Sequence, residues 1–313
     1  MKRFKNLFIL SLVLILIFPL VSCTKKTSSQ VEDEGQDIEE AVEVFPLTIT
    51  DFAGRKVTIE EVPERIVSLA PSITELLFAI GAGDKVVGVT DFDNYPAEVE
   101  DLPKVGGYQG PNIEAIMAQG PDLVLASNQS GKEEMEAIEA MGIPLMVLEA
   151  NNIEGIYESI RLLAQITGTE KKGEEVIKEM KDEIKEIKEK VEGLPRVDVF
   201  YLLMLDGNWT AGVGTFIHEL ISLAGGRNIV EVEGWTQYSL EELVDKNPEA
   251  IITSPNAANI EDIKAAEGYK ETAAVKEGNI FVISNEDLIA RASNRIVLGL
   301  KEIARFLHPE VFD

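Results

Sequence analysis

Cysteine is almost absent: the 313-residue chain has one, Cys23. A lone thiol has no disulfide partner within the chain and no thiolate cluster with which to hold a metal. Histidine is nearly as scarce, with only His218 and His308. Neither stands at metal-ligand spacing from another His or Cys, and "HEL" at 218–220 lacks the second histidine of a zinc-protease helix. A phosphate loop is missing, "GVG" at 212–214 lacks the rest of a dinucleotide fingerprint, and no G-x-S-x-G elbow occurs. The sequence therefore offers no metal site and no catalytic constellation. Positive charge is also short: 29 Lys and Arg against 55 Asp and Glu give a formal net charge of −26. Such a chain repels nucleic acid and anionic lipid. Aromatic residues make up only 6% of the chain, with two tryptophans, so the position of each large ring is informative.

The one long apolar run, "LFILSLVLILIF" at 7–18, follows Lys2, Arg3 and Lys5 and precedes "PLVSC" at 19–23. It is too short for a comfortable membrane span and has the flanks of a secretory signal. The segment resembles a bacterial lipoprotein signal. That resemblance implies a signal peptide over 1–22 and lipidation of Cys23. It also implies an extracytoplasmic protein anchored to the outer face of the cytoplasmic membrane, or a periplasmic one if an outer membrane exists. Residues 24–44, "TKKTSSQVEDEGQDIEEAVEV", are acidic and poor in large apolar side chains. They predict a disordered tether over 23–45, repelled by an anionic membrane surface.

From Phe45 onward the pattern is α/β. "RIVSLA" (65–70), "KVVGVT" (85–90), "DLVLAS" (122–127) and "PLMVLE" (144–149) are rich in β-branched residues with little polar alternation, as buried parallel strands require. Between them "SITELLFAIG", "NIEAIMAQG" and "KEEMEAIEAMG" predict helices that end at Gly, the first with a Ser72–Glu75 capping box. Residues 169–193 predict one long helix with a stripe of Val176, Met180, Ile184, Ile187 and Val191, closed by Pro195. Strands then resume at 197–204, 250–254 and 279–284, with helices at "TFIHELISLAGG", "SLEELVDKN" and "RIVLGLKEIARFL" and a second capping box from Ser239 to Glu242. The expected organisation is an N-terminal lobe over 46–166, an interdomain helix over 167–193 and a C-terminal lobe over 194–313. "NIEAIMAQGPDLVLAS" at 112–127 and "SLEELVDKNPEAIITS" at 239–254 align without a gap. Each has a capping residue, a glutamate two positions later, then Pro, an acid, an apolar pair and Ser. The same unit occurs once in each predicted lobe. A secreted, two-lobed chain without catalytic machinery reads as a binding protein, not an enzyme.

Five ordered segments carry a more specific resemblance: "RIVSLAPSITELLFAIGAGDKVVGVTDFDNYP", "KVGGYQGPNIEAIMAQGPDLVLAS", "TAGVGTFIHELISLAGGRNI", "WTQYSLEELVDKNPEAII" and "ARASNRI". Over nearly all of 47–308 the chain resembles the ABC-transporter periplasmic binding proteins for vitamin B12, haem and iron siderophores, and it looks closest to the B12 group. The resemblance implies two Rossmann-like lobes joined by a single long interdomain helix, with the ligand in the cleft and little lobe closure. It implies a monomer that delivers a small molecule to an ABC permease dimer with its ATPase subunits. No resident cofactor is expected: the cargo is a cobalt corrinoid, with a ferric siderophore or haem as alternatives.

Position by position, the resemblance implies ligand contacts at Phe92, Tyr108, Trp209, Trp235 and Asp287. Ser127 departs from the pattern, since B12 proteins can carry a tryptophan there. Both tryptophans fall in predicted loops before helices, beside Gly or Asn, and aromatic faces suit a large, flat, partly apolar ring system. A catecholate siderophore demands arginines, and Arg291 and Arg295 are the cleft-side candidates, with structural roles equally open. Haem demands an axial Tyr, His or Met, which Tyr108 or His218 would supply. The repeated glutamates, Glu114 and Glu241, are implied as the permease-docking residues, one per lobe. Their alternative role is compensation of the helix dipole.

Overall fold

The computed structural model describes residues 45–312, apart from 108–109, 128–129 and 149. The expected signal, tether and lipidated Cys23 lie outside the described residues. A short hairpin comes first, β1 (Leu47–Thr50) against β2 (Lys56–Ile59). The N-terminal lobe then runs β3 (Ile66–Ser68), α1 (Pro71–Ala79), β4 (Val86–Gly88), the two-residue β5 (Gly106–Gly107) and β6 (Gly110–Pro111), α2 (Ile113–Ala118), β7 (Leu123–Ala126), α3 (Lys132–Ala140) and β8 (Leu145–Val147). Two consecutive helices follow, α4 (Ile153–Thr167) and α5 (Glu170–Val191). The C-terminal lobe runs β9 (Val197–Leu202), β10 (Trp209–Ala211), α6 (Phe216–Leu223), β11 (Gly226–Asn228), β12 (Trp235–Gln237), α7 (Leu240–Lys246), β13 (Ala250–Thr253), α8 (Ile260–Ala265), α9 (Ala273–Glu277), β14 (Ile280–Val282), α10 (Asp287–Ala290) and α11 (Ile296–Leu307).

Each lobe is built on one four-stranded parallel sheet, in the order β4-β3-β7-β8 and β11-β9-β13-β14. Within a lobe the order is second-first-third-fourth both times. The repeated sequence unit occupies equivalent places, as α2 leading into β7 and α7 leading into β13. The chain is thus α/β with two Rossmann-like lobes joined by a long helix.

Side chains alternate across each sheet, and the two faces go to different cores. Ile66, Leu123, Leu125 and Met146 from the first sheet, and Val199, Tyr201, Ala250 and Ile252 from the second, join one continuous cluster. Val67, Val124 and Val147, and separately Phe200, Leu202 and Ile251, face smaller cores of their own lobes. The shared cluster contains the buried face of α5: Val176, Ile177, Met180, Ile184 and Ile187. Each such side chain contributes about 1.5–3 kcal/mol by leaving water. Helix α5 therefore packs along both lobes and is not a bare strut between them. It ends at Val191, before Pro195, where Gly193 takes a left-handed φ of 79°. A second tie crosses beside it: the Glu219 carboxylate on α6 accepts the Ile153 N–H at 3.0 Å, capping the start of α4.

The Ser239 half of the second capping box forms, with its hydroxyl accepting the Glu242 N–H at 3.4 Å. The first box does not form. Ala70 is the N-cap of α1, Pro71 occupies its first turn, and no side chain caps it. Proline suits that place because its missing N–H has no intrahelical partner there. Glu75 is buried and turned to the other lobe.

Asp51 pins the hairpin to the N-terminal sheet. Its carboxylate accepts the N–H groups of Ala53, Arg55 and Val147 at 3.0, 2.8 and 3.0 Å and the Arg55 guanidinium at 2.7 and 2.9 Å. Burial pushes its pKa up, but the Val147 N–H and the Arg55 contacts outweigh this and hold it below the ordinary value. A carboxyl lowered in the folded state stabilises the protein above its unfolded pKa, and that contribution is lost as pH falls through the folded value. Asp51→Asn should cost roughly 1–3 kcal/mol at neutral pH. It should also flatten the acid limb of stability in urea titrations below about pH 5.

Candidate ligand-binding cleft

The carboxyl ends of both parallel sheets open onto one cavity of about 410 Å³ between the lobes. That is where α/β sheets hold ligands, since strand ends and helix starts converge there. The N-terminal lobe contributes the start of α1 (Pro71, Ser72, Ile73), Ser127 after β7 and Asn151 before α4. The C-terminal lobe contributes Tyr201 from the end of β9, Thr215 and Phe216 at the start of α6, Trp235 from β12, and Glu286 and Arg291 around α10. Glu286 and Arg291 are the only charged side chains among its described lining residues.

The tryptophans do not sit in loops. β10 and β12 form an antiparallel ribbon pairing Trp209 with Gln237 and Ala211 with Trp235. Residues directly opposite in such a pair share a face, so Trp209 and Trp235 project from the same side of the ribbon. The ribbon is set by close backbone approach: Gly212 N–H donates to the Gly234 carbonyl at 2.8 Å and Val213 N–H to the Val232 carbonyl at 2.8 Å. Trp235 is 52% exposed despite its size and meets the Tyr201 ring edge-on, at 6.3 Å and 66°. Trp209 lies one register step away, with its indole Nε1 against Gly207, and is not among the residues lining the cavity.

Tyr201 was not anticipated from sequence. It is 2% exposed and lines the cavity. Burial pushes that hydroxyl's pKa well up, and the charge of Glu286 adds to the rise. The group is therefore a neutral donor facing the cleft. Its place at the carboxyl end of the first C-lobe strand was the available signal.

Phe92 and Asp287 meet at Arg291 rather than in the cavity wall. The Arg291 guanidinium donates to the Phe92 carbonyl at 3.1 Å, to Asn94 Oδ1 at 2.8 Å and to Asp287 Oδ2 at 3.1 Å. Asn94 in turn donates to Asp287 at 3.1 Å. Arg291 and Arg295 both reach Glu75 across the lobe boundary, so neither is a free anion receptor. Tyr108 lies outside the described residues. His218 sits on α6, its Nδ1 buried without a hydrogen-bond partner among the described residues. His308 is structural, packed against the Gly225 carbonyl at 3.3 Å. No group of three or more potential metal ligands occurs among the described residues.

Glu114 and Glu241 occupy the same place in their repeats, the second residue of α2 and of α7. Asn112 and Ser239 cap those helices through the same bond, to the N–H three residues on. Both glutamates are exposed, and neither forms an ion pair among the described residues. No helix among the described residues is long and apolar enough to cross a membrane.

Residues 66–286 match the family model described as periplasmic binding protein. The chain belongs to this family. It is a family of transport binding proteins of the periplasm or cell exterior, not a class of enzymes. The chain is 35% identical to the uncharacterized ABC transporter substrate-binding lipoprotein YvrC of Bacillus subtilis, over 88% of this chain and 89% of the relative. It is 30% identical to the vitamin B12-binding protein of Vibrio parahaemolyticus, over 77% and 88%. Among solved structures it is similar to the periplasmic haem-binding protein RhuT of Roseiflexus sp. RS-1 in its apo form, with 25% identity, a TM-score of 0.72 and coverage of 79% and 99%.

The ribbon's tight approach makes a prediction. A Cβ on Gly212 would fall 1.7 Å from the Val232 carbonyl oxygen. Gly212→Ala should therefore shift the ribbon, cost roughly 1–3 kcal/mol of stability, and alter near-ultraviolet circular dichroism, because both tryptophans sit on it.

Proposed function

We propose that this protein is the lipid-anchored substrate-binding component of an ABC importer and that it carries a corrinoid in the interlobe cleft. The observation that carries the reading is the aromatic corner made by Trp235 and Tyr201, in a cavity where the one arginine among the described lining residues is already paired. A large, partly apolar macrocycle is recognised by ring faces and a few fixed polar groups. The neutral Tyr201 hydroxyl, Ser72 and Asn151 supply such groups. A catecholate siderophore needs unpaired cations at the wall, and here the guanidinium at the wall is engaged. The likeness to the Vibrio parahaemolyticus protein, 30% identical, supports the same ligand class. The lipid anchor rests on the resemblance of residues 1–23 to a lipoprotein signal, and the relative YvrC is named a lipoprotein.

Haem is the second reading, favoured by Tyr201 as an axial ligand and by the fold shared with RhuT. Tyrosine ligation of ferric iron works best through the deprotonated oxygen. Burial and the Glu286 charge both oppose deprotonation at Tyr201, which ranks haem below a corrinoid. Titration with cyanocobalamin and with haem, read by visible absorption, decides between them. Trp235→Ala should weaken cyanocobalamin binding at least about tenfold with the fold intact, because a half-exposed anchor contributes more to the interface than to the core. An unchanged affinity by calorimetry removes Trp235 from the site.

Docking on the permease falls to Glu114 and Glu241. Two exposed carboxylates at matching repeat positions, without an ion pair among the described residues, suit a receptor made of two like subunits bearing cations. The double variant Glu114→Lys with Glu241→Lys should abolish uptake in reconstituted importer vesicles while ligand affinity stays normal. Undiminished uptake overturns the assignment.

A further inference from the structure

The cleft has one arginine at its wall and a second behind it, yet offers almost no free positive charge among the described residues. Glu75 is the reason. It is 1% exposed, on α1 of the N-terminal lobe, and its oxygens are fully engaged by the other lobe. Oε1 accepts from Arg291 at 2.8 Å and from Arg295 at 3.0 Å, and Oε2 accepts from the Ser293 hydroxyl at 2.5 Å. Asp287 completes the balance, 3.1 Å from Arg291. Two guanidiniums thus face two carboxylates. Arg295 is further covered by Tyr95, with its guanidinium 3.8 Å from the ring centre. Arg291 alone of the two arginines lines the cavity.

Charges in a cavity walled by protein act at low dielectric, where one uncompensated charge outweighs many at the surface. Without the Glu75 carboxylate the two guanidiniums would face only Asp287, and the junction behind the wall would carry a net positive charge, offset at the cavity surface by Glu286 alone. With it the four groups balance, and the chain's overall charge of −26 already disfavours anions.

We propose that Glu75 sets the charge selectivity of the cleft: by holding Arg291 and Arg295 it excludes ligands that present anionic groups to the inner wall and favours ligands neutral there. The carboxylate acts through the arginines and not by touching the ligand, so it is a positioning and selectivity residue. The proposal rests on the reading of the interlobe cavity as the ligand site.

The test compares a ferric tris-catecholate siderophore, which is strongly anionic, with a neutral ferric trihydroxamate and with cyanocobalamin. Each is titrated into the full chain and its variants and followed by visible absorption. Glu75→Gln should bind the catecholate complex at least about tenfold more tightly than the natural protein. The gain should fall with added salt, and hydroxamate binding should be little changed. Adding Arg291→Gln should abolish the gain, which a merely loosened cleft would not do. A neutral amide at so buried a site can compromise folding, so Asp287→Asn is the second variant. Its side chain is partly exposed, and it removes the other carboxylate from Arg291 while leaving Glu75 in place. It should shift selectivity in the same direction, by less. If folded Glu75→Gln and Asp287→Asn both bind the catecholate no better than the natural protein, while cyanocobalamin still binds, the selectivity role is overturned and the cleft reading stands. If no probe binds any folded variant or the natural protein, the cleft reading falls and the proposal with it.

Discussion

The buried Glu75 carboxylate ties the two lobes together at the edge of the cleft. Glu75 leaves α1 in one lobe and receives three donors from a short stretch of the other, Arg291, Ser293 and Arg295. Removing one partner of such a buried set costs on the order of 3–5 kcal/mol, because the remaining charge is stranded away from water. Ion pairs of this kind add less to net stability than to specificity, since much of their attraction offsets desolvation. Here the specificity is geometric. The Arg291 guanidinium also fixes the backbone at Phe92, the Asn94 amide and Asp287. One edge of the cleft is therefore assembled around one arginine, which is oriented by one glutamate.

The rest of the cleft depends on how strand alternation distributes side chains. One face of each sheet enters a core common to both lobes and to α5. The strand ends then point toward each other across the cavity, and the ribbon β10–β12 adds its aromatic side. Under the function proposed above, recognition would draw on a preformed wall, and the edge-on pair of Trp235 and Tyr201 would form part of it.

Much of this was legible in the sequence. Seven of the eight sheet strands, the long helix with its apolar stripe and the internal repeat follow from β-branched runs, 3.6-residue spacing and capping signals. Other features were hidden for physical reasons. "SITE" at 72–75 has the form of a capping box, but Glu75 found partners more than 200 residues away, and no local rule ranks a distant arginine above a nearby N–H. The ribbon strands are three residues long, too short for alternation to declare itself, so their tryptophans looked like loop residues. β11 reads Gly-Arg-Asn and is a strand only because β9 lies beside it. Helix α4 carries a stripe of Ile153, Ile156, Tyr157, Ile160 and Leu163 as regular as that of α5. Tyr201 shows the general difficulty: a strand residue becomes a site residue through where its strand ends, which is a property of the fold.

The shared core has a consequence for the lobes as units of folding. Their sheets have the same strand order, and their sequences retain a common unit, as halves of a duplicated gene would. Yet each half, cut free, would present to water the sheet face and helix flanks that the common cluster now covers. A chain of that kind melts as one body, and neither half is a domain in the sense of a piece that stands alone. Symmetry survives in the architecture, but autonomy does not: the smallest cooperative unit is larger than the unit that was repeated.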